Sequence, residues 1–227
     1  MMSDLFSVAI DGPSGAGKST LSKRAAAEFG FVYVDTGAIY RTVGLACSRK
    51  GVDLLNEEEV AAVLSELKID IRYDSTGLQR MILNEEDVSD QIRTPEISMC
   101  ASKVSSLPTV RAFLLDMQRG FARKYSVIMD GRDIGTVVLP DASLKIYLTA
   151  APESRAKRRF LELQEKGIET SFESVLEDII QRDYQDTHRA IAPLKKADDA
   201  VELDTSELDF EESFRALCSI ISNHKEN

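Results

Sequence analysis

The 227-residue sequence predicts an α/β fold of three layers, with a five-stranded parallel sheet between helices. Three observations point there. Five short β-rich runs alternate with longer helix-like stretches. A glycine-dense turn joins the first run to the first helix. One stretch of almost sixty residues interrupts the alternation and carries an antiparallel pattern of its own.

The runs are "LFSVAI" (Leu5–Ile10), "FVYV" (Phe31–Val34), "SVIMD" (Ser126–Asp130), "LKIYLT" (Leu144–Thr149) and "AVELD" (Ala200–Asp204). Helical stretches between them supply the crossovers that parallel strands need. A helix is expected over Gly37–Lys50, and the chain from there to the helix near Thr109 is too long for a plain loop. Within it "KIDIRY" alternates, with Ile69, Ile71 and Tyr73 on one face and Asp70 and Arg72 on the other. "DSTG" offers a turn and "LQRMILN" a return strand, so a small antiparallel insert is expected. Further on, Val110, Phe113, Leu114, Met117 and Phe121 keep helical spacing, as do Phe172, Val175, Leu176, Ile179 and Ile180. Each set reads as a core-facing stripe. "SNHKEN", Ser222–Asn227, reads as a frayed tail.

Charge narrows the function. There are 28 Lys and Arg against 38 Asp and Glu, a net charge of -10. That balance argues against nucleic-acid or membrane-surface binding by bulk charge. An anionic ligand must then meet a local basic cleft. Cys47, Cys100 and Cys218 form no CxxC pair, and His188 and His224 do not cluster, so zinc and redox-motif readings have no support. No basic-plus-apolar leader is visible, and no apolar run approaches the ~18 residues of a membrane span. A cytoplasmic monomer is the expectation, in keeping with free thiols in a reducing compartment.

The glycine-dense turn carries the chemistry. Gly12, Pro13, Ser14, Gly15, Ala16, Gly17, Lys18 and Ser19 match GxxxxGK[ST]. Glycines let backbone N–H groups point inward, and the helix that follows adds its unpaired N-terminal amides and its dipole. Together these make a nest for phosphate oxygens. Lys18 would reach the β- and γ-phosphates, and the Ser19 hydroxyl would sit on Mg²⁺. With Thr20, these residues form the expected ATP-binding set.

Nucleotide binding leaves two classes open, a small-molecule kinase and a nucleotide-dependent switch or ATPase. A GTPase would want an NKxD-like guanine reader, and no Asn-Lys occurs. A motor-type ATPase strand usually ends in two acidic residues, but Asp130 is followed by Gly131, Arg132 and Asp133. A kinase needs a second anion site and an arginine-bearing cover. "PESRAKRRF" supplies Arg155, Lys157, Arg158 and Arg159. On a helix Arg155 shares a face with Arg158 and Arg159, a stack of like charges that an anion would relieve. "QRDYQDTHR" sets Arg182, Asp186 and Arg189 on one face, where Asp186 can orient its neighbours or take a sugar hydroxyl.

"IDGPSGAGKST", "DTGAIYR", "DGRDIGTVV", "LQEKG" and "RAIAPL", in this order, resemble the bacterial-type cytidylate kinases, from about Phe6 to Leu217. The resemblance implies a P-loop nucleoside monophosphate kinase that passes a phosphoryl group from ATP to CMP or dCMP with Mg²⁺, in pyrimidine nucleotide metabolism. It implies a core over 5–36 and 105–224, a monophosphate-binding region over 37–104 with the insert at about 66–94, and a short helical lid over 152–170. Thr36, Tyr40 and Arg41 would line the monophosphate pocket, with Ser102 and Arg111 near the base. Arg155, Arg158 and Arg159 match the lid, and Arg182, Asp186 and Arg189 the arginine–aspartate helix. Lys18, Arg132, Arg155, Arg159 and Arg182 would be catalytic, and Arg158 would join the ATP set. A kinase for another nucleoside monophosphate stays as the alternative within this class.

"DGRD" gives base selection a physical basis. Cytosine presents an N4 amine, which a carboxylate accepts, whereas uracil presents an acceptor there. Asp133 would take the amine, Arg111 would donate to N3 or O2, and Arg132 would hold the CMP phosphate.

Overall fold

In the computed structural model, residues 5–225 are described. Five strands form one parallel sheet: β1 (Ser7–Asp11), β2 (Val32–Asp35), β6 (Val127–Gly131), β7 (Leu144–Thr149) and β8 (Val201–Asp204). Their order is β2-β6-β1-β7-β8. Val8 sits opposite Ile128 on one side and Leu144 on the other. Because β1 is central, Val8, Ala9 and Ile10 are all buried, so both faces of this strand are apolar rather than alternating. Four of the five strands begin one or two residues after the β-rich runs, and β1 and β2 each end on an aspartate, Asp11 and Asp35. Both carboxylates are used by the turns that follow.

The chain divides into two compact units, one up to Tyr33 and from Lys124, the other Val34–Arg123. In the first, α1 (Lys18–Phe29) and α8 (Phe210–Lys225) pack on the sheet through Leu21, Ala25, Leu217 and Ile221. The helix α8 continues through Lys225, so most of the expected frayed tail is helical; Glu226 and Asn227 lie outside the described residues. A separate small core joins α6 (Pro152–Glu165) to α7 (Phe172–His188), with Ala156, Val175 and Ile179 buried and Phe160 edge-on to Phe172. Ile180, expected in that stripe, is 51% exposed, because α7 meets α6 along a narrow seam through Val175 and Ile179.

In the second unit, α2 (Thr36–Lys50) crosses α4 (Pro95–Val104) closely. A Cβ at Gly44 would stand 2.9 Å from the Ala101 nitrogen, so only glycine permits this crossing. The insert is a three-stranded antiparallel sheet of β3 (Ile69–Tyr73), β4 (Gln79–Leu83) and the two-residue β5 (Glu86–Asp87). Tyr73 is 36% exposed, so the alternating face of β3 is only partly covered. The helix α3 (Glu57–Ser65) starts on Asn56, whose side chain accepts from the Glu58 and Glu59 amides. It packs against α5 (Pro108–Ala122), which therefore lies in this unit, whereas the sequence-based boundary assigns α5 to the core. The buried line of α5 runs Val110, Leu114, Gln118 at intervals of four. Phe113 faces outward, rotated off that line.

Candidate active site

The turn from β1 to α1 is shaped by backbone. Gly12 adopts φ +153°, and a Cβ there would lie 1.9 Å from the Leu148 carbonyl oxygen. Gly15 and Gly17 have φ of +76° and +85°. The Gly17 N-cap of α1 supplies no side-chain cap, so the first amides of the helix are left for a ligand. Lys18 is buried and donates through Nζ to the Pro13 carbonyl at 2.6 Å. Burial, then the nearby Arg132 charge, push its pKa well below the usual lysine value, against the pull of Asp130, Asp11 and Asp186. A phosphate would restore the favoured charge.

Ser19 Oγ donates to Asp130 Oδ2 at 2.8 Å, and Tyr33 donates its hydroxyl to Asp130 Oδ1 at 2.9 Å. A serine hydroxyl beside an oriented carboxylate is a set of hard oxygen ligands that fits Mg²⁺. Asp11 points elsewhere. Its two oxygens accept from the amides of Ile134 and Gly135, each at 2.7 Å. It thereby caps the π-helical turn Ile134–Val138 that follows the DGRD segment. Burial raises the Asp11 pKa to about 6 despite these two bonds.

Two ion pairs organise DGRD. Arg132 Nε donates to Asp186 Oδ2 at 2.6 Å, and Arg189 Nη2 donates to Asp133 Oδ1 at 3.2 Å. Both carboxylates are buried. Burial opposes the charge on Asp186, but Arg132, Arg182 and Arg189 outweigh it and hold the pKa below the ordinary aspartate value. Burial likewise opposes the Arg132 charge, yet Asp186, Asp130 and Asp11 raise its pKa above the usual arginine value. Arg182 and Asp186 lie on α7 as expected, but Arg189 follows the last helical residue in extended backbone, so the three do not share one helical face; Arg132 and Asp133, from another segment, bond Asp186 and Arg189 instead.

The three arginines of α6 do not stack. Arg155, 2% exposed, donates to the Ser14 carbonyl at 2.9 Å and grips Asp183 through both terminal nitrogens. A cavity of about 330 Å³ adjoins the loop there, lined by Pro13, Thr149, Arg155, Asp183 and Ser206 among others. Arg158 bonds the carbonyls of Thr205 and Leu208, and the exposed Arg159 pairs with Glu162. Each charge has its own partner, which removes the repulsion that the sequence alone suggests.

In the second unit, Asp35 accepts from the Ala38 amide at 2.8 Å and from Arg41 Nη2 at 2.9 Å. Among the described residues, Arg41 Nε is buried without a hydrogen-bond partner. Thr36 is buried at the start of α2, Arg111 lies 5.9 Å from the Tyr40 ring centre and donates to the Ser105 carbonyl, and Ser102 is half-buried on α4. Sequence reasoning missed Asp11, Asp35, Asp130 and Asp183 as site carboxylates. Local signals exist for two of them: Asp11 stands directly before the loop, and Asp130 is the next-to-last residue of β6.

A parallel sheet whose central strand leads into a glycine-capped, lysine-bearing helix N-terminus, beside a hydroxyl–carboxylate pair, defines a P-loop nucleotide-binding protein. The sequence model of the cytidylate kinase family matches residues 8–223. A cytidylate kinase from Lactobacillus johnsonii is 48% identical over 223 residues, 98% of this chain and 96% of that protein. One from Flavobacterium johnsoniae is 47% identical over 222 residues, 96% of each. One from Caldicellulosiruptor saccharolyticus is 48% identical over 215 residues, 95% of each. The chain belongs to the cytidylate kinase family. Among the described residues, no helix is long and apolar enough to cross a membrane.

Proposed function

We propose that the protein transfers the γ-phosphoryl group of ATP to CMP or dCMP, giving ADP and CDP or dCDP. The observation that carries this reading is the family match over residues 8–223 together with the open, lysine-bearing start of α1. Gly12 to Thr20 bind the polyphosphate, with the loop amides and Lys18 meeting its oxygens. Ser19 and Asp130 would hold Mg²⁺, which supplies charge neutralisation on the phosphates when bound. Arg155 fixes the loop through the Ser14 carbonyl, and Arg158 and Arg159 belong with it to a lid over 152–170.

Thr36, Tyr40, Arg41, Ser102 and Arg111 are assigned to the monophosphate nucleotide, as are Arg132, Asp133, Arg182, Asp186 and Arg189. Arg41 Nε, buried and unpartnered, is a donor that a phosphate oxygen would satisfy. Asp133 accepts from Arg189 Nη2, and a carboxylate can accept several donors at once, the cytosine amine among them. Uracil would turn an acceptor towards it, and an unpaired polar group in a desolvated site is strongly rejected.

The attacking atom is a phosphate oxygen. A monoester's second pKa is about 6, so CMP is mainly dianionic at neutral pH and needs no general base. Catalysis then consists of alignment and charge stabilisation by Lys18, Arg132, Arg155, Arg159 and Arg182. The test is ADP release from Mg-ATP with CMP, dCMP, UMP, AMP or GMP in turn. Turnover with CMP and dCMP well above the rest is expected. ATP hydrolysis indifferent to the acceptor would replace this reading with an ATPase, and a preference for AMP would move the substrate.

A further inference from the structure

Gln79 ties the antiparallel insert to the start of α2. Gln79, in β4 opposite Tyr73, is half-buried. Its Oε1 accepts from the Asp35 amide at 2.8 Å, and its Nε2 donates to the Asp35 carbonyl at 3.3 Å. Nε2 also lies 3.1 Å from Met81 Sδ. The reverse amide orientation would set NH₂ against N–H and oxygen against oxygen, so the geometry selects one arrangement. Asp35 ends β2, an edge strand, and Gln79 satisfies the main-chain groups it presents there.

Asp35 in turn fixes Arg41. Its two oxygens are divided between the Ala38 amide and the Arg41 guanidinium. A Cβ at Gly37 would stand 3.0 Å from Arg41 Nη1 and 3.1 Å from Asp35 Oδ1, so the guanidinium lies tight over the helix start. A planar guanidinium held at one nitrogen presents its other donors in a fixed fork. Any tilt of the Asp35 peptide moves that fork.

We propose that Gln79 is a positioning residue for the acceptor phosphate: its amide clasps the Asp35 backbone from the insert and so sets the aim of Arg41. This rests on the reading that Arg41 binds the monophosphate. It gives the insert a task in the reaction, through a residue that does not itself touch substrate.

The test compares Gln79→Leu with the parent enzyme. KM for CMP should rise about fivefold, the scale of one lost neutral hydrogen bond. KM for ATP and kcat should stay within about twofold, since the clasp supports phosphate binding equally in the ground and transition states. Gln79→Asn, too short to span the gap, should shift the same constant in the same direction and carries the test if the leucine variant does not fold. Tyr73→Ala removes the cross-strand neighbour and leaves the clasp, so KM for CMP should not move. An unchanged KM for CMP in the Gln79 variants overturns the proposal, as does an equal rise in Tyr73→Ala, which would mean general loosening of the sheet. Arg41→Ala separates the two layers. If it leaves KM for CMP unchanged, the assignment of Arg41 itself fails; if it raises KM while Gln79→Leu does not, only the clasp fails.

Discussion

Two strand-to-helix turns in this protein solve the same problem in opposite ways. After β1, the N-terminus of α1 is capped by Gly17, which has no side chain to bond its amides. After β2, the N-terminus of α2 is closed by Asp35, which takes the Ala38 amide for itself. The first turn is therefore a main-chain anion site. The second has consumed its own cap, and its free donor is a guanidinium nitrogen of Arg41. A main-chain site is suited to a polyphosphate, whose many oxygens can meet many amides. A guanidinium gives a planar fork that must be aimed, and here the aiming groups are Asp35 and Gln79. On the proposed reading, a phosphate seat made of backbone carries its donors in the loop's own conformation, whereas one made of side chains depends on the groups that aim them.

The strongest way to break this contrast is at Lys18. Lys18→Ala should lower kcat/KM about a thousandfold, the scale of losing one preorganised donor at a developing charge. A loss of tenfold or less in steady-state assays would mean that the amides of the first turn suffice without it. The next largest effect concerns Asp11, the carboxylate that leaves the first turn open and caps the turn after DGRD instead. Its pKa is raised from 3.8 to about 6. The folded chain therefore holds a proton that the unfolded chain has released. Its contribution to stability is full below the unfolded value and is lost as pH rises through about 6. The drop is ~3 kcal/mol. Denaturant midpoints across that window should show it, and Asp11→Asn should flatten the slope.

Asp133→Asn sharpens the side-chain half of the comparison. The ratio of kcat/KM for CMP over UMP should fall about a hundredfold, since the amide can offer either a donor or an acceptor to the base. Competition assays with both nucleotides measure this directly, and an unaltered ratio would remove Asp133 from base reading. The smallest effect is at the closed cap. Asp35→Ala should cost about 1 kcal/mol of stability, as N-cap removals do, and should raise KM for CMP with KM for ATP unmoved. Thermal melts and the paired constants together separate the cap from the aim of Arg41.

Much of the fold is legible in the chain because the signals are local. Val8 to Ile10 announce a buried strand, Ile69 and Ile71 a half-covered one, and the loop from Gly12 to Ser19 its own conformation through three glycines at positive φ. The misplaced side chains have a common cause. Phe113 and Ile180 obey helical spacing, but spacing defines a wide apolar arc, and the neighbouring helix decides which edge of it is covered. In the same way Arg155, Arg158 and Arg159 look like a charged stack until Asp183 and Thr205 arrive from elsewhere and Glu162, one turn on in the same helix, takes Arg159.

By itself, the sequence determined the alternation of strands and helices, the phosphate loop and the family, because each is written in contiguous residues whose backbone preferences act at short range. Only the tertiary structure decided that Asp130, 111 positions from Ser19, meets its hydroxyl. It alone decided that Asp186, 54 positions away, holds Arg132, and that Gln79, 44 positions away, clasps Asp35. Carboxylates and amides have local partners only where they cap a helix or turn; elsewhere the chain does not fix whom they meet. Their choice is settled by which groups the packed core leaves within about 3 Å, where a hydrogen bond forms or is lost.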